Sequence, residues 1–352
     1  MNRFLRFIVN PMILLVIGMG SGAAFLLAGD PSADPAHAQR SFWFTYRVVV
    51  PELPEQSQRV DLWIPIPRSN AHQSIENIQI SANLPYELHQ DPKFGNRMAY
   101  FHARRDLPDS IRIELTFRVT RKTVQALKDG TANRELTPEE RREYLSPDSL
   151  VPINDRIYEE VRKAAPEDLP PLEKARAFYD YLVETMRYDK SGEGWGRGDA
   201  IYACDVRRGN CTDFHSLFIS MARVAGIPAR FIIGFPVPHT PDAGEIGGYH
   251  CWAEFYVPRK GWIPVDASEA HKHPDRRDFL FGGLDPDRVA FTLGRDIPLA
   301  PPVTSRKLNY FIYPYVLVDG HVFENYRTQF LYRNVSTSEA SISNGAGTRS
   351  SD

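Results

Sequence analysis

The stretch that most constrains this chain is Gly209-Asn210-Cys211-Thr212-Asp213-Phe214, because it places a thiol at the mouth of an amphipathic helix. From there Phe214, Leu217, Phe218, Met221, Val224 and Ala225 recur with a helical period, which predicts one buried face. Asn210 suits the N-cap, Asp213 favours the first turn electrostatically, and Gly226-Ile227-Pro228 stops the helix. Cys211 therefore falls where unpaired backbone N–H groups and the helix dipole favour an anion. A free thiol with a pKa of about 8.5 is only roughly 3% thiolate at pH 7. Lowering that pKa by ~3 units takes about 4 kcal/mol, of which a helix terminus supplies ~0.3–2 kcal/mol. A second charged partner is required, and an imidazolium is the usual one.

The residues that follow offer one. Ala229-Arg230-Phe231-Ile232-Ile233-Gly234-Phe235-Pro236 reads as a buried strand, then a Gly/Pro-rich loop leads to Tyr249-His250-Cys251-Trp252-Ala253-Glu254-Phe255-Tyr256-Val257. After a turn at Pro258-Arg259-Lys260-Gly261 comes Trp262-Ile263-Pro264-Val265-Asp266. Any antiparallel register pairing even with even positions puts His250 and Asp266 on one face of the sheet. The carboxylate then holds the imidazole, and the other ring nitrogen is free for Cys211.

Four ordered blocks carry a resemblance to a known family: Gly209 to Asp213, Ala222 to Arg230, Tyr249 to Glu254, and Gly261 to Asp266. They look like the transglutaminase-like superfamily, a papain-like fold with a Cys-His-Asp triad whose catalytic helix packs on an antiparallel sheet. The resemblance covers roughly residues 170–270. It implies Cys211 as nucleophile, His250 as general base and later acid, and Asp266 as the group that orients it. In the family a side chain upstream of the nucleophile often joins the nucleophile's own N–H in binding an oxyanion, and here Trp195 and Tyr202 are the candidates. The implied reaction is cysteine-dependent acyl transfer on a protein or peptide substrate: a peptidase or amidase, with protein cross-linking as the alternative. No cofactor is expected, and the loops that hold calcium in the family have no visible counterpart.

Other readings of the same residues stand beside this one. Cys211 could be an inert core cysteine in a binding scaffold that keeps the fold without the chemistry. His215, one turn along the helix, could be the imidazole partner in place of His250. Cys204, Cys211, His215, His250 and Cys251 could be metal ligands, although their spacing matches no compact zinc pattern, and Cys251 should face away from His250.

The rest of the chain sets the frame. With 352 residues and 42% hydrophobic content it can form about two domains with a sizeable core. A net charge of −2 without a basic tract argues against a nucleic-acid partner, and three cysteines cannot make a disulfide scaffold. Arg3 and Arg6 precede an uncharged stretch from Phe7 to Gly29, and Ala36-His37-Ala38 suits signal-peptidase cleavage. Residues 1–38 are expected to direct export to the periplasm or outside, as a cleaved signal or as a membrane anchor. Over 41–125 the alternation of Phe42, Phe44, Tyr46 and of Ile111, Ile113, Leu115, Phe117, Val119 predicts an antiparallel β-sandwich. The class is α+β: that sandwich, then a transglutaminase-like domain over 126–335 and a disordered Ser/Gly/Thr-rich tail over 336–352. Tyr310 to Val318 and His321-Val322-Phe323 form a hairpin about Asp319-Gly320, expected to extend the core sheet. The glycines of 191–200 lack the lysine and spacing of a phosphate-binding loop and are expected to wall the cleft.

Overall fold

The structure is a computed structural model that describes residues 39–128 and 134–336. The expected export segment 1–38, and all but the first residue of the expected tail, lie outside the described residues.

Alternation in Gln39–Val50 turns Phe42, Phe44, Tyr46, Val48 and Val50 to one side, all fully buried. Ile111–Lys122 alternates likewise, and the antiparallel register sets Phe42 against Val119, Phe44 against Phe117 and Tyr46 against Leu115. The Phe44 and Phe117 rings stack with centroids 5.3 Å apart, while the outer face carries polar pairs such as Arg47 with Glu114. These strands are inside a five-stranded sheet ordered Ala243–Glu245, Arg327–Asn334, Gln39–Val50, Ile111–Lys122, Gln73–Ala82. A second five-stranded sheet is ordered His321–Val322, Tyr315–Val318, Arg59–Ile66, Arg97–Arg104, Tyr86–Gln90. Val60, Leu62, Ile64 and Phe101 of the second sheet share one core with the first, which makes the antiparallel sandwich.

The C-terminal hairpin forms as expected, about a turn in which Asp319 and Gly320 have φ of 48° and 83°. It joins a different sheet from the expected one. Tyr315–Val318 pairs with Arg59–Ile66, setting Val316 beside Leu62 and Val318 beside Val60, so its apolar face continues the sandwich core.

The α part rests on a four-stranded antiparallel sheet ordered Gly261–Val265, His250–Val257, Ala229–Pro236, Arg288–Leu293. Helix Cys211–Val224 packs on it, with the Phe218 and Phe255 rings 6.0 Å apart. The helix is buried all round because Asp155–Ala164, Pro171–Thr185, Ala200–Val206 and Ala267–Lys272 surround it. At Gly234 the register with Arg288–Leu293 shifts, and a Cβ there would overlap the Val289 carbonyl, so only glycine fits the bulge. The class is α+β, a sandwich followed by a helix-on-sheet unit. Among the described residues no helix is long and apolar enough to cross a membrane.

Candidate active site

The mouth of the Cys211 helix is fixed by hydrogen bonds to its first turn. Asn210 Oδ1 accepts from the Thr212 N–H at 2.9 Å, and the Asp213 carboxylate accepts from the Asn210 N–H at 2.9 Å. That carboxylate also accepts from the N–H groups of Gly196 at 2.7 Å and Gly198 at 3.0 Å, which fastens the glycine-rich loop to the helix. Burial raises the Asp213 pKa against the pull of these donors. At Gly209 a Cβ would overlap the Asp213 carboxylate, so the residue two places before the thiol has no room for a side chain. Cys211 opens the helix and is 3% exposed.

Opposite it, the sheet register pairs Glu254 with Pro264 and Tyr256 with Trp262. The strand ends at Val265, and Asp266 instead caps helix Ala267–Lys272, its Oδ1 accepting from the Glu269 N–H and the Ser268 hydroxyl, each at 3.1 Å. Asp266 Oδ2 lies 2.7 Å from His250 Nε2, with both side chains buried, which leaves Nδ1 of the ring for the thiol. Arg288 Nη1 donates to the same oxygen at 3.0 Å.

These contacts decide the charges. Burial pushes the Asp266 carboxyl up, but the His250 charge, its hydrogen bond and Arg288 outweigh burial and hold the carboxyl well below its usual range. Burial disfavours the His250 imidazolium, yet the Asp266 charge and hydrogen bond, with Cys211, raise its pKa to about 10. For Cys211 burial again opposes ionisation. Hydrogen bonds with Cys251 and His250, and the His250 charge, carry the thiol well below its ordinary value. All three shifts favour a thiolate beside an imidazolium steadied by a carboxylate.

Cys251 is on the helix side of its strand, away from the His250 face, and its thiol reaches Cys211 there. Burial, then the hydrogen bond and charge of Cys211, raise its pKa well above the ordinary thiol value, so it stays protonated and donates. His215 Nε2 accepts the Ala267 N–H at 3.2 Å, so Nδ1 carries the proton toward Cys251 Sγ at 3.6 Å. Burial lowers the His215 pKa, in keeping with a neutral ring. Between the two imidazoles, His250 has the direct carboxylate hydrogen bond, and His215 stands 3.7 Å from Asp266.

Neither oxyanion candidate hydrogen-bonds to Cys211, His250 or Asp266. Trp195 Nε1 donates to the Gly192 carbonyl at 3.1 Å, and the Tyr202 hydroxyl is buried without a partner beneath Gly194. The five cysteines and histidines considered as metal ligands are not one cluster: Cys204 lies beside Glu160 and Arg156. Among the described residues no group of three or more His, Cys, Asp or Glu could hold a metal ion. Arg288 and the Cys251 donor escape sequence reasoning, since nothing local marks a cation at a strand start or a thiol beside a thiol.

Three comparisons bear on this geometry. Residues 157–267 match the profile of the transglutaminase-like superfamily core. An uncharacterized protein of Haemophilus influenzae is 28% identical over 335 residues, 84% of this chain and 90% of its own length. A protein-glutamine gamma-glutamyltransferase of Pseudomonas aeruginosa is 27% identical over 177 residues, 48% of this chain but 25% of that enzyme. Among solved structures, one from Cytophaga hutchinsonii, named a candidate cysteine protease, superposes with a TM-score of 0.57 at 17% identity, covering 85% of this chain and 92% of that one. The last likeness is one of fold. Residues 157–267, which hold the thiol, the imidazole and the carboxylate, belong to the transglutaminase-like superfamily.

Proposed function

We propose that this protein is an exported cysteine-dependent enzyme that hydrolyses amide bonds in a protein or peptide substrate, with Cys211 as nucleophile, His250 as acid and base, and Asp266 as orienter. The observation that carries the reading is the buried 2.7 Å contact of His250 with Asp266 at the mouth of the helix that Cys211 opens. The thiolate adds to the carbonyl carbon, and the oxyanion forms beside the helix N–H groups. Collapse breaks the C–N bond while the His250 imidazolium gives its proton to the leaving amine. Water then attacks the thioester, His250 takes a proton from it, and the acid leaves as the thiolate returns. Arg3, Arg6, the apolar stretch and Ala36-His37-Ala38 support export.

A second reading, amine attack in place of water to give a cross-link, is favoured by the stretch shared with the glutamyltransferase and by the 3% exposure of Cys211. Incubation of wild type and Cys211→Ala with a peptide library, with and without a primary amine, followed by mass spectrometry, separates the readings. New carboxyl termini support hydrolysis and amine adducts support cross-linking. Products that persist in Cys211→Ala, or none in either protein, would sink the enzymatic proposal and leave a binding scaffold.

A further inference from the structure

The face of the four-stranded sheet turned away from the Cys211 helix is not covered like the other. Cys251, Ala253 and Phe255 point into the helix-packed core, while Ile232 and Trp252, paired across the register, point the other way. There the sheet and the sandwich line a half-open cavity of about 400 Å³. Its charges do not balance. Arg68, Arg121, Arg230 and Lys260 line it against one carboxylate, Glu254, which Arg230 already holds at 2.6 Å.

Arg121 is the residue hardest to explain by packing alone. It is 2% exposed, its Nη1 donates to Gln73 Oε1 at 3.0 Å, its Nε has no partner, and no described carboxylate pairs with it. Burial, with the positive charge of Arg288 added, lowers its pKa to about 9. The charges of Asp285 and Glu254 offset this only in part, and a buried guanidinium with a spare donor and no paired carboxylate among the described residues is costly unless an anion covers it. The Arg121 and Arg288 guanidinium groups stand 5.6 and 5.2 Å from the centroid of the Trp252 indole, which is 1% exposed and whose Nε1 is also buried without a partner. The amides on the wall are engaged elsewhere: Gln73 with Arg68, Ala290 and Arg121, and Asn96 with Leu293. The lining also includes Asn70, His72, Thr292 and Glu254, and its apolar part is Ile232, Phe291, Leu293 and the two indoles of Trp252 and Trp262.

We propose that this cavity is a binding site for a small aromatic carboxylate, its charge met by Arg121 and its ring lying among Ile232, Leu293 and Trp262. A planar guanidinium with a free donor suits a carboxylate, and an apolar wall suits a flat apolar body. The site shares a wall with the triad: the Trp252 ring is 6.5 Å from that of His250, and Arg288 joins the indole to Asp266.

The test is calorimetric titration of the full chain with 2-naphthoate and with its uncharged counterpart, 2-naphthamide. The acid is expected to bind at least about tenfold tighter, the worth of a charge-assisted contact. Arg121→Gln removes that preference while leaving the amide's affinity unchanged. Ala290→Leu, which fills the cavity from its sheet side, weakens both ligands. Thermal unfolding checks that each variant is folded. Equal affinity of wild type for acid and amide, binding of neither, or a preference that survives in folded Arg121→Gln would overturn the proposal. If Arg121→Gln does not fold, the wild-type preference and the weakened binding of both ligands by Ala290→Leu decide.

Discussion

Cys204 and Cys211 stand on consecutive helices, both buried, and their surroundings hold them in opposite states. Around Cys204, burial and the negative charge of Glu160 raise the thiol to about 11. Glu160 is kept ionised there by Arg156, Lys163 and Arg207. Around Cys211 burial acts in the same direction, but an imidazolium and a neighbouring thiol donor reverse the outcome. Burial alone gives an inert cysteine, and the sign of what lies next to it makes the difference.

The contrast can be broken most severely by deleting the sulfur. Cys211→Ala is expected to cost about 10³-fold or more in turnover, whereas Cys204→Ser stays within a few-fold, measured as amide cleavage in the mass-spectrometric assay. Asp266→Asn comes next, with a loss of about 10²–10⁴-fold, because the neutral amide neither favours the imidazolium nor enforces the tautomer that turns Nδ1 to sulfur. Unchanged turnover would refute the orienting role.

Alkylation by iodoacetamide sharpens the contrast without substrate. At pH 6 Cys211 is expected to react about tenfold or more faster than Cys204, because a thiol whose pKa is lowered is already ionised there and one raised to about 11 is not. The sign follows from the shifts. The Cys211 rate stays level as pH rises through the ordinary thiol range and falls only on acidification through its lowered pKa. Its alkaline change comes near pH 10, where His250 loses its proton. Equal, slow labelling of all three cysteines would place Cys211 with Cys204. The smallest effect is expected at Cys251, where Cys251→Ala removes the donor and moves the acid limb of Cys211 alkylation upward by up to about one pH unit, with Cys251→Ser restoring it.

What the sequence discloses about this site is local. Asn210, Asp213 and the Phe214 to Val224 period specify the helix and its start, and the alternation about the Pro258 to Gly261 turn fixes an even-with-even register. Long-range relations are hidden. Arg288–Leu293 is buried at every residue, so it lacks the alternation that marks a half-exposed strand, and its Arg288 meets Asp266 only after the sheet has formed. The helix from Ala267 to Lys272 is only six residues long, too short to show a period, which is why Asp266 looks like the end of a strand although it caps a helix. Tyr315–Val318 displays a hairpin, but nothing in its residues names Arg59–Ile66 as its partner.

Strand Arg327–Asn334 covers Gln39–Val50 on one side of the sandwich as Tyr315–Val318 covers Arg59–Ile66 on the other. The strands made early therefore wait for strands made late, and the whole helix-on-sheet unit is synthesised between them. A chain cut short after Leu308 would bare one flank of each sheet, with rows of amide hydrogens and carbonyls open to pairing with other chains. Shortened forms are thus expected to clump, and the two parts of this molecule are made as one or not at all.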